Sequence, residues 1–96
     1  MITKRRAPRN SHVRVAFVLE RPEADTVHLA GDFTDWQASK VMRRTAEGTW
    51  RVAMELPLGR EYSFRYLVDG VHWVNDPSAD KYVANPYGSE NSVVVT

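Results

Sequence analysis

The feature that most constrains this chain is the period of its apolar residues, which is two. Val13, Val15, Phe17 and Leu19 alternate with Arg14, Ala16, Val18 and Glu20. Trp50, Val52, Met54 and Leu56 alternate with Arg51, Ala53 and Glu55, and Tyr62, Phe64, Tyr66 and Val68 with Ser63, Arg65 and Leu67. Successive side chains of a strand point to opposite faces, so each run reads as a strand with one buried face. Val27 and Leu29 mark another strand, closed by Gly31, and Ser92 to Thr96 a last one. Pro22 and Pro57-Leu58-Gly59 punctuate the runs. Asp69-Gly70 separates Tyr62–Val68 from Val71–Val74 and is a strong hairpin signal, because both turn residues take positive φ. No window carries a helical pattern. The expected fold is all-β, a sandwich of about seven short antiparallel strands.

Ninety-six residues bound this to one domain with one modest core. The absence of cysteine removes disulfides, thiol catalysis and cysteine metal sites. No apolar run approaches the roughly twenty residues of a membrane span. The opening Met-Ile-Thr-Lys-Arg-Arg lacks the apolar stretch of a secretion signal. A cytoplasmic location with no membrane partner is the default expectation. Lys4, Arg5, Arg6, Arg9 and Arg14 all precede the first acid, Glu20. From Glu20 onward eight basic residues face twelve acidic ones, a net −4. An acidic body argues against nucleic acid as the ligand. Residues 1–11, with Pro8 and no apolar alternation, are expected to form a mobile basic tail ahead of a domain at 12–96.

Catalytic patterns are missing. His12, His28 and His72 are not at metal-ligand spacing, and the five glycines are isolated turn residues. Asp32 with Asp35, and Asp76 with Asp80, are carboxylate pairs in loops where aspartate serves turn formation. An enzyme, a metal site and a cofactor are therefore not expected.

Two long connections, 31–49 and 75–91, contain aromatics and are expected to be ordered. Trp50 opens an alternating apolar run and belongs in the core. Trp36 lies among polar residues in Gly31-Asp32-Phe33-Thr34-Asp35-Trp36-Gln37, and Trp73 lies three residues past the Asp-Gly turn. Each is either an anchor that folds its loop down or an exposed platform. A pyranose has an apolar face of C–H groups, which an indole covers at small entropic cost, with hydroxyls radiating toward polar neighbours.

The ordered set of motifs settles on a resemblance. Gly31-Asp32-Phe33-Thr34-Asp35-Trp36, Gly48-Thr49-Trp50, Leu56-Pro57-Leu58-Gly59, Tyr62 to Gly70, Trp73, Asp76-Pro77 and Gly88 to Val93 together resemble carbohydrate-binding module family forty-eight. That family includes the glycogen-binding domain of the AMP-activated protein kinase beta subunit and the N-terminal domains of branching enzyme and isoamylase. The resemblance implies an immunoglobulin-like, early-set β-sandwich that binds α-1,4-glucans without catalysis. It implies stacking on Trp36 and Trp73, hydroxyl contacts from Arg65, Ser89 and Asn91, and Tyr87 where the family has a leucine that enters the curve of the glucan. Thr34 replaces the family's usual Asn, a change expected to touch loop geometry. Arg65 replaces a lysine, keeping charge but changing donor geometry. The alternative is an interaction module with a vestigial sugar groove that docks on a glycan-metabolising enzyme or kinase.

Overall fold

A computed structural model describes residues 1–6, 11–45 and 48–96. Two antiparallel sheets pack face to face. One has the order β1 (Ile2–Arg6), β2 (His12–Glu20), β6 (Thr49–Pro57), β5 (Arg43–Arg44). The other has the order β4 (Lys40–Val41), β3 (Val27–Gly31), β7 (Glu61–Val68), β10 (Glu90–Val95), β9 (Lys81–Ala84), and β8 (His72–Val74) also pairs with β7. A 3₁₀ turn, Asp32–Thr34, follows β3.

The β2–β6 register shows why alternation sets this fold. Val13, Val15, Phe17 and Leu19 stand directly opposite Leu56, Met54, Val52 and Trp50. A slip of either strand by one residue would turn its four apolar side chains toward water. They meet Val27 and Leu29 of β3, Phe64, Tyr66 and Val68 of β7, and Val94 of β10 in one core. Phe17 and Phe64 join the sheets edge to face at 5.0 Å between ring centres. Each fully buried side chain of this size contributes about 1.5–3 kcal/mol by leaving water. Trp50 is in the core, donates its Nε1–H to the Arg21 carbonyl at 3.0 Å, and lies under the Arg44 guanidinium.

The structure departs from the sequence expectations in two respects. The described residues form ten strands rather than about seven. Two of the extra strands, β4 and β5, are two-residue pairings at sheet edges, too short to show a period. The basic segment is the other departure. Ile2–Arg6 is not a mobile tail but an edge strand, laddered to β2 from Ile2↔Phe17 to Arg6↔Val13. Backbone hydrogen bonds and a cross-link hold it: Lys4 Nζ reaches Asp80 at 2.7 Å and the Val95 carbonyl at 3.0 Å. Only Ile2 packs on the core, so the period-two signal never appears in the sequence. Pro8 and Arg9 lie outside the described residues.

Strand β7 positions the site. β3 occupies one of its edges along residues 64–68. On the other edge β10 pairs with residues 61–64 and β8 with residues 66–68. Arg65 therefore sits where one neighbour gives way to the next. Asn75 bridges that gap. Its Oδ1 accepts the Ser92 N–H at 2.9 Å and the Ser92 hydroxyl at 2.8 Å, and its Nδ2 donates to the Glu90 carbonyl at 2.9 Å.

Candidate functional site

Arg65 points away from the core, because its neighbours Phe64 and Tyr66 are fully buried. Trp73, paired with Leu67, projects from the same face one pleat further along β7. Asn91 precedes Ser92, which is buried opposite Phe64, so it also faces outward, beside Arg65. Trp36 arrives from the turn after β3. These four line one groove together with Asn85, Pro86 and Tyr87. Both indoles are exposed there, Trp36 at 37% and Trp73 at 45%.

The turn that delivers Trp36 is tightly specified. A Cβ on Gly31 would stand 2.5 Å from the Ser63 carbonyl, so only glycine lets the chain cross β7 this closely. Thr34 Oγ1 accepts the Gly31 N–H at 3.0 Å and donates to the Gly31 carbonyl at 3.1 Å. That is the loop role expected for position 34. Asp35 and Trp36 then take left-handed backbone angles, φ 51° and 60°. For a tryptophan this conformation costs about 1–3 kcal/mol and persists only where surrounding contacts impose it. The contacts are the Trp36 N–H to the Gly31 carbonyl at 2.9 Å and the indole Nε1–H to Asp32 Oδ1 at 3.0 Å. Phe33 pins the turn from below, 5.6 Å from Phe17 and 6.0 Å from Tyr62 between ring centres.

The opposite wall is the turn 85–89. Asn85 Oδ1 accepts the N–H groups of Tyr87 at 2.9 Å and Ser89 at 3.3 Å. Its Nδ2 donates to Ser89 Oγ at 2.9 Å and Asn91 Oδ1 at 3.2 Å. Arg65 joins the network, donating through Nη2 to Ser89 Oγ at 2.8 Å and through Nε to the Glu90 carbonyl at 3.1 Å. Tyr87 stands at the tip, 91% exposed. Asn91 Nδ2 and the Trp73 indole N–H have no hydrogen-bond partner among the described residues, so both remain available as donors toward the groove.

Five of the six sequence candidates therefore line one groove: Trp36, Arg65, Trp73, Tyr87 and Asn91. Ser89 does not. It faces a neighbouring depression and reaches the groove only through Arg65. Sequence reasoning missed Asn85, which organises that wall. Its signal was present in Asn85-Pro86-Tyr87-Gly88, a turn sequence in which asparagine caps the N–H two residues on. It also missed Asp32 as the acceptor for Trp36.

Chemically, the groove offers two apolar aromatic faces and amide, indole and guanidinium donors. Among the described residues Arg65 is the one charged side chain lining it, and no carboxylate does. Asp76, one carboxylate of the Asp76 and Asp80 pair, is fully buried and accepts from the Tyr66 hydroxyl at 2.7 Å. Asp80 is spent on Lys4 and on the Val95 N–H at 2.7 Å. Among the described residues no group of three or more acidic or histidine side chains is placed to hold a metal. No helix there is long and apolar enough to cross a membrane.

Cruciform DNA-recognizing protein 1 of Saccharomyces cerevisiae strain ATCC 204508 / S288c is 32% identical to this chain over 69 residues, as are its counterparts in strains RM11-1a and JAY291. The matched stretch is 69% of this chain but 14% of the yeast protein. Residues 13–96 match the family model described as the glycogen recognition site of AMP-activated protein kinase. That span takes in both sheets apart from β1 and His12, together with every residue lining the groove, and the chain belongs to this family of carbohydrate-binding modules.

Proposed function

We propose that the groove binds α-1,4-linked glucans, such as glycogen, starch and malto-oligosaccharides, without catalysing any change in them. Glucose units stack on Trp36 and Trp73, Asn91 and Arg65 donate to ring hydroxyls, and Tyr87 contacts the chain at the groove's edge. One observation carries this reading: two exposed indoles and two outward-facing donors share one groove in a member of the glycogen-recognition family. Glycoside hydrolysis uses two carboxyl groups flanking the scissile bond, and among the described residues the groove lining has none. A shallow site of this kind supports micromolar to millimolar affinity, roughly −4 to −8 kcal/mol. Catalysis, where it is coupled to binding, would come from a partner in trans or from another part of a longer chain.

The yeast relatives are named for cruciform DNA, but this groove is not suited to it. Phosphate-dominated binding needs several cations, and among the described residues the groove has one, Arg65. Titrating the protein with maltoheptaose tests the proposal. Saturable quenching or a blue shift of tryptophan emission is expected, unchanged between low and moderate salt because the ligand is neutral. No change at millimolar maltoheptaose, or a steep loss of affinity with salt, would refute it.

A further inference from the structure

A second depression lies on the other side of the β9–β10 ribbon. Adjacent residues of a strand face opposite ways, so Asn91 lines the groove and Glu90 lines the depression. Asn85 lines both. The turn 85–89 is thus a narrow ridge with a recess on each flank, and its internal hydrogen bonds keep it from folding aside.

The recess contains an aromatic surface that is already fixed. Tyr82 is 41% exposed, yet its hydroxyl donates to the Asp76 carbonyl at 2.5 Å and accepts the Ala79 N–H at 3.2 Å. A ring held this way loses little freedom on binding. Beside it the Glu90 carboxylate makes no ion pair or hydrogen bond among the described residues, and a carboxylate can accept two hydroxyls of a vicinal diol. Ser89 Oγ accepts from Arg65 and Asn85, which leaves its own O–H free to donate. Platform, acceptor and donor repeat the equipment of the groove. Glu90 also disfavours an anionic ligand here.

We propose that this recess is the second half of a single glucan site. An α-1,4-glucan that outgrows the groove passes over the 85–89 ridge, and a further glucose unit stacks on Tyr82 with its hydroxyls on Glu90 and Ser89. The α-1,4 linkage makes the chain curve, which suits a path around a convex ridge. Ser89, which geometry removes from the groove, then contacts sugar after all. Arg65 holds Ser89 from the groove side at 2.8 Å, so one hydrogen bond already links the two recesses. The inference rests on the glucan reading of the groove.

The test compares maltotriose with maltodecaose by titration calorimetry on the whole chain, with variants Tyr82→Ala, Glu90→Gln and Ala84→Arg. The last fills the recess from an exposed position outside the core. Wild type should bind one maltodecaose more tightly than maltotriose. Each variant should lose about tenfold or more for maltodecaose, the scale of one stacking contact, and keep its maltotriose affinity, which also certifies its fold. If the three variants bind both sugars as wild type does, while Trp73→Ala weakens both, the second half does not exist and the groove reading stands. Two maltodecaose molecules bound per chain would overturn the continuous path. Binding of neither sugar by wild type would overturn the groove reading and this inference with it.

Discussion

The indole N–H of Trp36 is held by the carboxylate of Asp32, whose second oxygen accepts the Ser63 N–H of β7 at 2.8 Å. One carboxylate thus fixes the exposed ring to the central strand of its sheet. Asp32→Ala should leave the core intact and lower maltoheptaose affinity about two- to tenfold, the scale of a net hydrogen bond, roughly 0.5–1.5 kcal/mol. Fluorescence titration measures it, and unchanged affinity would show that the ring needs no fixing.

The tryptophans divide by role. Trp73→Ala should cost about 1–3 kcal/mol of glucan binding, as loss of one aromatic stacking surface does elsewhere, and leave thermal stability nearly unchanged. Trp50→Ala should destabilise the fold by about 3–5 kcal/mol because it empties a core site. Denaturant melts on both variants separate the two effects, and the reverse pattern would invert the assignment.

Tyr66 is buried against Asp76. Burial first, and then its hydrogen bond to the Asp76 carboxylate, raise its ionisation far above the usual 10.0. The folded phenol stays protonated while the unfolded one ionises. Its contribution is therefore full below pH 10.0 and declines as pH rises beyond it. Tyr66→Phe should flatten that alkaline decline. It should also cost about 1–3 kcal/mol at neutral pH, because buried Asp76 loses a donor. Urea melts across pH 7–11 report both.

Asp69 behaves in the opposite sense. Its carboxylate accepts the N–H groups of Thr26 and Asp25, which lower its pKa below the ordinary 3.8. Its contribution is full above 3.8 and is lost as pH falls through the lower folded value. Asp69→Asn should remove that part of the acid transition, read from the slope of stability against pH below 4.

How far the sequence reveals this molecule depends on which force places each element. Strands built by side-chain burial were legible, because β2, β6 and β7 write their buried faces as alternation. The Asp69-Gly70 hairpin was legible because its φ values, 53° and 71°, demand those residue types. β1 was not, since main-chain hydrogen bonds and the Lys4–Asp80 contact place it, and neither leaves a period. In the site, the aromatic and outward-facing residues could be read along the chain. Ser89 falling on the far flank of its turn could not, because a pleat reversal next to a loop depends on register. Asn85 and Asp32 work through hydrogen bonds to residues near and far, with no signal beyond their own turns.

The most direct measurement is the indole N–H region of a ¹⁵N-correlated NMR spectrum during a maltoheptaose titration. The protein has three such protons, one each from Trp36, Trp50 and Trp73. The Trp36 and Trp73 signals should shift together along one saturation curve, while Trp50, beneath Arg44 and bonded to Arg21, stays in place. A shift at Trp50 alone, or saturation with both Trp36 and Trp73 unmoved, would contradict the assignment of this groove as the glucan site.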